Sequence, residues 1–301
     1  MAGHRAIFTL FRGPSVEIAD YRCRESGHRP APEEAACRHE VVLPRAGVFV
    51  KHVGGERIVA DANRVLFFNA GEPYAVSHPA PGGDDCTVLA LSPALLREAA
   101  AAVDPAAADR ADRPFAVGHA PSLPPADLLH RRLVHGLARG GLDGLAVEET
   151  AVRLVAALLA RARGVHGLPL RERPAGAAAV RRQRELADAA QELLARRFRD
   201  RFHLADLAGR LGCSPFHLTR VFRRWVGVPL HRYRNRLRLR EAVEAVAAGV
   251  EDLTGLALDL GFADHSHFTN AFRRELGRPP SALRRPVTAA ELADLRKNLQ
   301  A

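Results

Sequence analysis

The chain has 301 residues, with 44 Lys+Arg against 34 Asp+Glu and a formal net charge of +10. That length points to about two domains. Four cysteines and an N-terminus without a long apolar stretch argue against a disulfide framework and a signal peptide and for a reducing cytoplasm; the apolar run around Leu154–Leu159 is flanked by Arg153 and Arg161, so no membrane span is expected.

The first 165 residues read as many short strands. Runs with β character occur at Ala6–Leu10, Val16–Arg22, Glu40–Leu43, Gly47–Val53, Glu56–Ala60, Arg64–Phe68, Tyr74–Ser77 and Cys86–Leu91. Gly54-Gly55, Asp61-Ala62-Asn63, Gly71-Glu72-Pro73 and Pro81-Gly82-Gly83-Asp84 punctuate them. This spacing predicts an antiparallel barrel or jelly roll. Ser92–Val103 then reads as a helix. Pro124–Arg139 and Leu145–Arg163 read as an amphipathic helical hairpin around Gly140-Gly141, and Gly164 to Gly176 reads as a linker. The stripe Val147, Ala151, Leu154, Val155, Leu158 and Leu159 is either a homodimer surface or packing onto the chain's own sheet.

Thiols and imidazoles gather in this half: Cys23, Cys37, His39, His78, Asp84, Asp85 and Cys86. Such groups hold metals or respond to oxidants, but no CxxC spacing draws them together. No metal ligand, cofactor or catalytic residue is assigned from the sequence.

The second half contains a segment that occurs twice. One copy is LADLAGRLGCSPFHLTRVFRRWVGVPLHRYR, Leu204 to Arg234; the other is LTGLALDLGFADHSHFTNAFRRELGRPPSALR, Leu253 to Arg284. Shifted by fifty, His217, Thr219, Phe222, Arg223, Arg224, Gly227, Pro229 and Arg234 fall on His267, Thr269, Phe272, Arg273, Arg274, Gly277, Pro279 and Arg284. Each copy reads as helix, tight turn, helix. Leu204, Leu207, Ala208 and Leu211 mark one buried face, Gly212 stops it, Ser214 caps the next helix and Pro215 opens it. Asp264 is the matching cap in the second copy. Pro229 to Gly249 bounds a connecting helix with Tyr233, Leu237, Ala242 and Val246 on its buried face. At roughly 28–30 Å it could set two recognition helices into successive major grooves.

Charge selects the polymer. Residues 1–170 hold 19 residues of each sign, whereas 171–301 hold 25 Lys+Arg against 15 Asp+Glu. The excess follows the repeats, the footprint of phosphate binding. Arg220, Arg223, Arg224, Arg232, Arg234, Arg236, Arg238 and Arg240 form a run without an acid among them. A preference for Arg over Lys follows from GC-rich coding, but the asymmetry between halves does not. His265-Ser266-His267 is not read as a metal pair, because residues two apart on a helix diverge. Trp225 is read as a packing residue, and Cys213 as a small buried hydrophobe where the second copy has Phe262.

From about Leu186 to Arg285 the chain resembles the DNA-binding domain of AraC/XylS-type transcription regulators, most closely in GFADHSHFTNAFRRELGRPPSALR. The resemblance implies an all-α domain with two helix-turn-helix units joined by a long helix. It implies that Phe216, Thr219 and Arg220 face bases from the first recognition helix, and His265, Ser266, Thr269 and Asn270 from the second. Arg223, Arg224, Arg273 and Arg274 would then meet phosphates. The stretch LFFNAGEPYAVSHP is similar to the cupin-like sensor domains of the same family, without the paired His-x-His and Glu of metal-binding cupins. That implies a small-molecule effector, and Phe49, Phe67, Tyr74 and His78 are the candidates for its lining.

The expected organisation is multidomain α and β: a cupin-like antiparallel β-barrel with a helical hairpin over 1–165 for effector sensing and dimerisation, a linker over 166–178, the DNA-binding domain over 179–290 and a tail over 291–301. The expected function is a cytoplasmic regulator of promoter DNA, with RNA polymerase as a partner if it activates. The alternatives are a cupin-type or Cys-dependent alkyl-transfer enzyme with a DNA-binding tail, and a non-specific architectural DNA protein.

Overall fold

A computed structural model describes residues 5–103, 112–140, 142–166, 177–200, 204–297 and 299. The strands are β1 (Arg5–Arg12), β2 (Val16–Cys23), β3 (Glu34–Ala35), β4 (Glu40–Val53), β5 (Glu56–Asp61), β6 (Arg64–Phe68), β7 (Pro73–Ser77), β8 (Asp84–Leu91) and β9 (His119–Pro121). The helices are α1 (Pro93–Val103), α2 (Pro124–Arg139), α3 (Gly144–His166), α4 (Ala177–Arg197), α5 (Leu204–Arg210), α6 (Pro215–Val226), α7 (Leu230–Ala248), α8 (Leu253–Asp259), α9 (His265–Leu276) and α10 (Ala289–Lys297). Most of the expected linker, 167–176, lies outside the described residues. No described helix is long and apolar enough to cross a membrane.

The chain divides into two compact units, Met1–Leu168 together with Ser281–Ala301, and Pro169–Pro280. The first is built on antiparallel pairing in the order β1-β2-β8-β4-β6-β9, with β5 and β7 also on β4 and β3 on β7. The two runs read separately at Glu40–Leu43 and Gly47–Val53 are one long strand. Its first part pairs with β6 and β8; its pairing with β8 slips between Pro44 and Ala46, and its last residues pair with β5 and β7. A bulge bends a strand and raises its twist, which lets β4 serve two sets of neighbours. Val42, Phe49, Ile58, Ala60, Leu66, Phe68 and Cys86 fill the space between them. The expected antiparallel β region is present, but its ladder is open: β1 and β9 end the path, and no pairing among the described strands joins them.

The α3 stripe is spent inside the chain. Val147, Ala151, Leu154, Val155 and Leu158 are fully buried and Leu159 nearly so, because α3 packs against α1, α2, α10, β2 and β9. Of the two readings of the stripe, packing inside the chain is the one these contacts support. The chain's C-terminal segment completes the same unit. Leu292 and Leu295 of α10 are buried against α2 and α3. Arg132 of α2, fully buried, donates to Leu283 O and Arg285 O at 2.8 Å and to both oxygens of Glu291 at 2.9 and 2.7 Å. Residues 281–290 therefore fold with the first unit, although the sequence of 281–284 belongs to the second repeat.

The second unit is all helix. Leu207 and Ala208 of α5 meet Leu218, Val221 and Phe222 of α6 in one small core; in the other, Phe268 packs tilted against Phe262 at 5.3 Å and edge-on against Phe272 at 5.7 Å. Between them α7 buries Tyr233, Leu237, Ala242 and Val246, the face expected from the pattern. The phenol of Tyr233 is satisfied by Gln191 Nε2 at 3.1 Å and packs edge-on against Phe222 at 5.3 Å.

Candidate nucleic-acid interface

The two exposed helices α6 and α9 are built alike. Ser214 Oγ accepts from His217 N–H at 3.2 Å, and Asp264 Oδ1, fifty residues on, accepts from His267 N–H at 2.7 Å. A side-chain acceptor at the N-cap satisfies a backbone donor the helix itself cannot. At the other end Gly227 and Gly277 take left-handed backbone, φ 81° and 74°, and donate to Arg223 O and Arg273 O. Leu218, Val221 and Phe222 point inward, as do Phe268, Ala271 and Phe272 at the same shift.

The opposite faces carry the expected readers. Thr219, Arg220 and Arg223 are exposed on α6, with Arg224 half-buried. His265, Ser266, Asn270, Arg273 and Arg274 are exposed on α9, with Thr269 half-buried beside His265, Oγ1 to Nε2 at 3.4 Å. The side chain of Phe216 lies outside the described residues. Beside α6 a groove of about 880 Å³ gathers Thr219, Arg220, Arg223, Arg224, His231 and Arg234. His231 enters this cationic patch through tertiary packing, which repeat spacing does not reveal. Trp225 is half-buried, as is Cys213, whereas Phe262 at the equivalent turn is fully buried.

Several arginines of the run do structural work instead. Arg238 is buried and donates to Phe198 O at 2.6 Å, Gly261 O at 2.9 Å and Asp200 O at 3.2 Å, so one guanidinium holds the end of α4 to the α8–α9 turn. Arg240 is also buried. Arg236 pairs with Glu275 of α9, which also takes Arg232 at 3.4 Å. Burial pulls the guanidinium pKa of Arg234 and Arg236 down, the cost of removing charge from water. The even arginine spacing along α7 therefore does not form one solvated, phosphate-facing stripe.

The first unit holds a cavity of about 340 Å³. Phe49, Tyr74 and His78 line it, with Phe68, Val42, Val76 and Val88. Phe67 does not. Neighbouring residues of a strand point to opposite faces, so Phe68 faces this cavity while Phe67 packs on Phe115 at 5.1 Å and lines a separate pocket of about 220 Å³ with α1 and α3 residues. The wall is mostly apolar, with two ion pairs on it: Arg5 pairs with Glu34, and Arg38 with Glu40. Burial raises the pKa of Glu40 and of the Tyr74 phenol. Behind Phe68 and Tyr74, Lys51 is buried, donates to Phe67 O at 2.9 Å and sits 3.7 Å from the Phe68 ring centroid; desolvation lowers its pKa to about 8.

The thiols and imidazoles also separate. Cys23, His78, Asp84 and Cys86 are buried near one another, with Cys86 Sγ donating to Asp84 Oδ2 at 3.1 Å. Burial, together with the neighbouring Asp84, pushes both thiols up. Cys37 is exposed, His39 accepts from Ala70 N–H, and Asp85 pairs with Arg24.

Residues 207–286 match the model of a helix-turn-helix domain family. The chain is 37% identical over 78 residues to the HTH-type transcriptional activator RhaS of Escherichia fergusonii, covering 26% of this chain and 28% of that one. It is 35% identical over 85 residues to the HTH-type transcriptional activator AarP of Providencia stuartii, 28% of this chain and 63% of that one. The chain thus spans less than two thirds of either relative. Among solved structures, ToxT from Vibrio cholerae O395 aligns over 90% of this chain and 97% of its own at 11% identity and a TM-score of 0.38, a likeness too loose to say what the first unit binds.

Proposed function

We propose, from the AraC-type helix-turn-helix domain that residues 207–286 carry, that the chain is a sequence-specific DNA-binding transcription regulator. The observation that supports this most is the pair α6 and α9: two helices with equivalent caps and equivalent buried faces, each turning polar residues outward. The unit that holds them carries 21 Lys+Arg against 13 Asp+Glu. Phosphate contacts supply affinity and register, while side chains at base edges supply sequence. In this reading Thr219, Arg220, His265, Ser266, Thr269 and Asn270 face bases, and Arg223, Arg224, Arg273 and Arg274 face phosphates. Arg favours guanine and Asn favours adenine, so α6 and α9 read different half-sites.

The first unit is the sensor. Its cavity is of the size small ligands use, and Phe49, Tyr74 and His78 are its recognition surface. An occupant regulates only by binding one state of the protein more tightly than another. The working environment is the cytoplasm, and RNA polymerase is the partner if the chain activates.

Sequencing the genomic DNA fragments that the purified protein retains tests the reading. A shared motif with two half-sites about one helical turn apart supports it. Equal retention of random and genomic fragments in competition would leave a non-specific architectural protein instead.

A further inference from the structure

Cys23 ends β2, Glu25 follows it, and His78 follows β7. The Cys23 sulfur, a Glu25 carboxylate oxygen and a His78 ring nitrogen all lie within 4.8 Å of one another. Two features of the sheet bring them together. Cys23 sits opposite Asp84 in the β2–β8 pairing. The loop after β2 is then stitched back by Gly27, whose N–H donates to His78 O at 2.8 Å and whose carbonyl accepts from His78 N–H at 2.9 Å.

A thiol, an imidazole and a carboxylate are the ligand types of a zinc-class ion. Ligands about 2.0–2.3 Å from a tetrahedral ion stand roughly 3.3–3.8 Å apart, so the three groups need to close by only about an ångström. The sulfur and the ring are buried, and Glu25 is half-buried. Asp84 is buried beside His78, with Oδ1 2.9 Å from Nε2 but in no aligned hydrogen bond, which makes Nδ1 the nitrogen left for an ion. A carboxylate at the far nitrogen of a ligating imidazole fixes its orientation and raises its basicity. Glu25 is held by Arg5, which also holds Glu34, so the arginine keeps one acid when the other turns to the ion.

We propose that Cys23, Glu25 and His78 bind one zinc-class divalent cation, with Asp84 as the positioning carboxylate behind His78. The thiolate and imidazole select against magnesium and calcium, which take oxygen ligands. Three protein ligands leave a fourth tetrahedral position for water. The site stands whether or not the chain regulates transcription, because it rests on the first unit alone.

Cobalt(II) is the probe, since its spectrum reports thiolate ligation. Titrating the reduced full chain should saturate at one equivalent, give tetrahedral absorption with a thiolate-to-cobalt charge-transfer band, and lose it on adding one equivalent of zinc. Cys23→Ser should abolish the charge-transfer band, and His78→Gln should weaken cobalt binding more than tenfold. Glu25→Gln, at a half-buried position and with circular dichroism confirming the fold, should also weaken it more than tenfold. Cys37→Ser should change nothing. A wild-type chain without the band, or a band that survives Cys23→Ser, overturns the assignment.

Discussion

Arg220 and Arg238 belong to one arginine-rich stretch and do opposite things. Arg220 is exposed on α6 above the cationic groove, whereas Arg238 is buried on four backbone carbonyl groups from two segments. Arg220→Ala should therefore cost about 1–3 kcal/mol on the specific site and far less on random DNA. Equal losses on both DNAs in a binding titration would make it a phosphate contact. Lys51 gives a second test at this scale. Its folded pKa is about 8 against an ordinary 10.5, so between those values the unfolded chain binds more protons. The Lys51 contribution to the stability of the first unit should rise with pH across that window, by up to about 3 kcal/mol, with its penalty fully present below pH 8; the raised Cys23, Cys86 and Tyr74 act in the opposite sense, so the signal is the difference between wild type and Lys51→Met. Lys51→Met should remove the rise. The unfolding transition seen by circular dichroism but not by Trp225 fluorescence measures it, since the sole tryptophan lies in the second unit. Charge alone puts Arg220 and Arg238 in one run, because charge and spacing do not encode which guanidinium meets a carbonyl; only the family resemblance sets Arg220 apart. The sequence also marked both Phe49 and Phe67 as cavity residues. Strand alternation separates Phe67 from Phe68, but which of the two faces inward depends on where α1 and α3 pack.

At the scale of elements, the helix caps were the most legible feature, because a cap is a local bargain between one side chain and a backbone donor a few residues away. Ser214 and Asp264 bond as their spacing demands. Asp264→Ala should destabilise the second unit by about 1 kcal/mol, read from the Trp225 fluorescence transition in urea, with Asp264→Asn nearly neutral. The turn before α9 offers a harsher test. Gly261 has φ 80°, and a Cβ there would run into the carbonyl of Arg199 and the guanidinium of Arg238. Gly261→Ala should thus disturb both the turn and the Arg238 anchor, costing more than the roughly 1 kcal/mol of an ordinary left-handed Gly→Ala change. A smaller loss in the same transition would show that Arg238 yields freely. Long strands were less legible. Pro44 and Gly47 read as a break between strands, yet β4 runs through them because a bulge absorbs the misfit. The two-residue β3, three-residue β9 and α10 have too little periodicity to be seen without their partners.

At the scale of the whole molecule, chain order and folding order differ. The first unit is made from both ends of the described chain, and the second unit is an insertion between them, joined at its start and at its end. In the sequence the second repeat runs to Arg284 and the family resemblance to Arg285. Burial assigns those residues elsewhere, because Arg132 has its four described bonds to Leu283, Arg285 and Glu291. This changes what an isolated half should do. Residues 177–285 should bind DNA with a steep salt dependence, because the second unit carries most of the excess positive charge. A fragment of residues 1–170 should not bind DNA, and it should also fold poorly. It would lack the apolar cover of Leu292 and Leu295 and would leave Arg132 buried without its carboxylate. Removing one partner of a buried ion pair costs about 3–5 kcal/mol, a large share of a domain's stability of about 5–15 kcal/mol. Arg132→Met should rescue much of that loss in the 1–170 fragment, because an apolar side chain of similar length needs no partner, yet it should destabilise the full chain. Urea unfolding of the four proteins, followed by circular dichroism, measures both signs. If Arg132→Met destabilises fragment and full chain alike, the C-terminal segment does not hold Arg132 in solution.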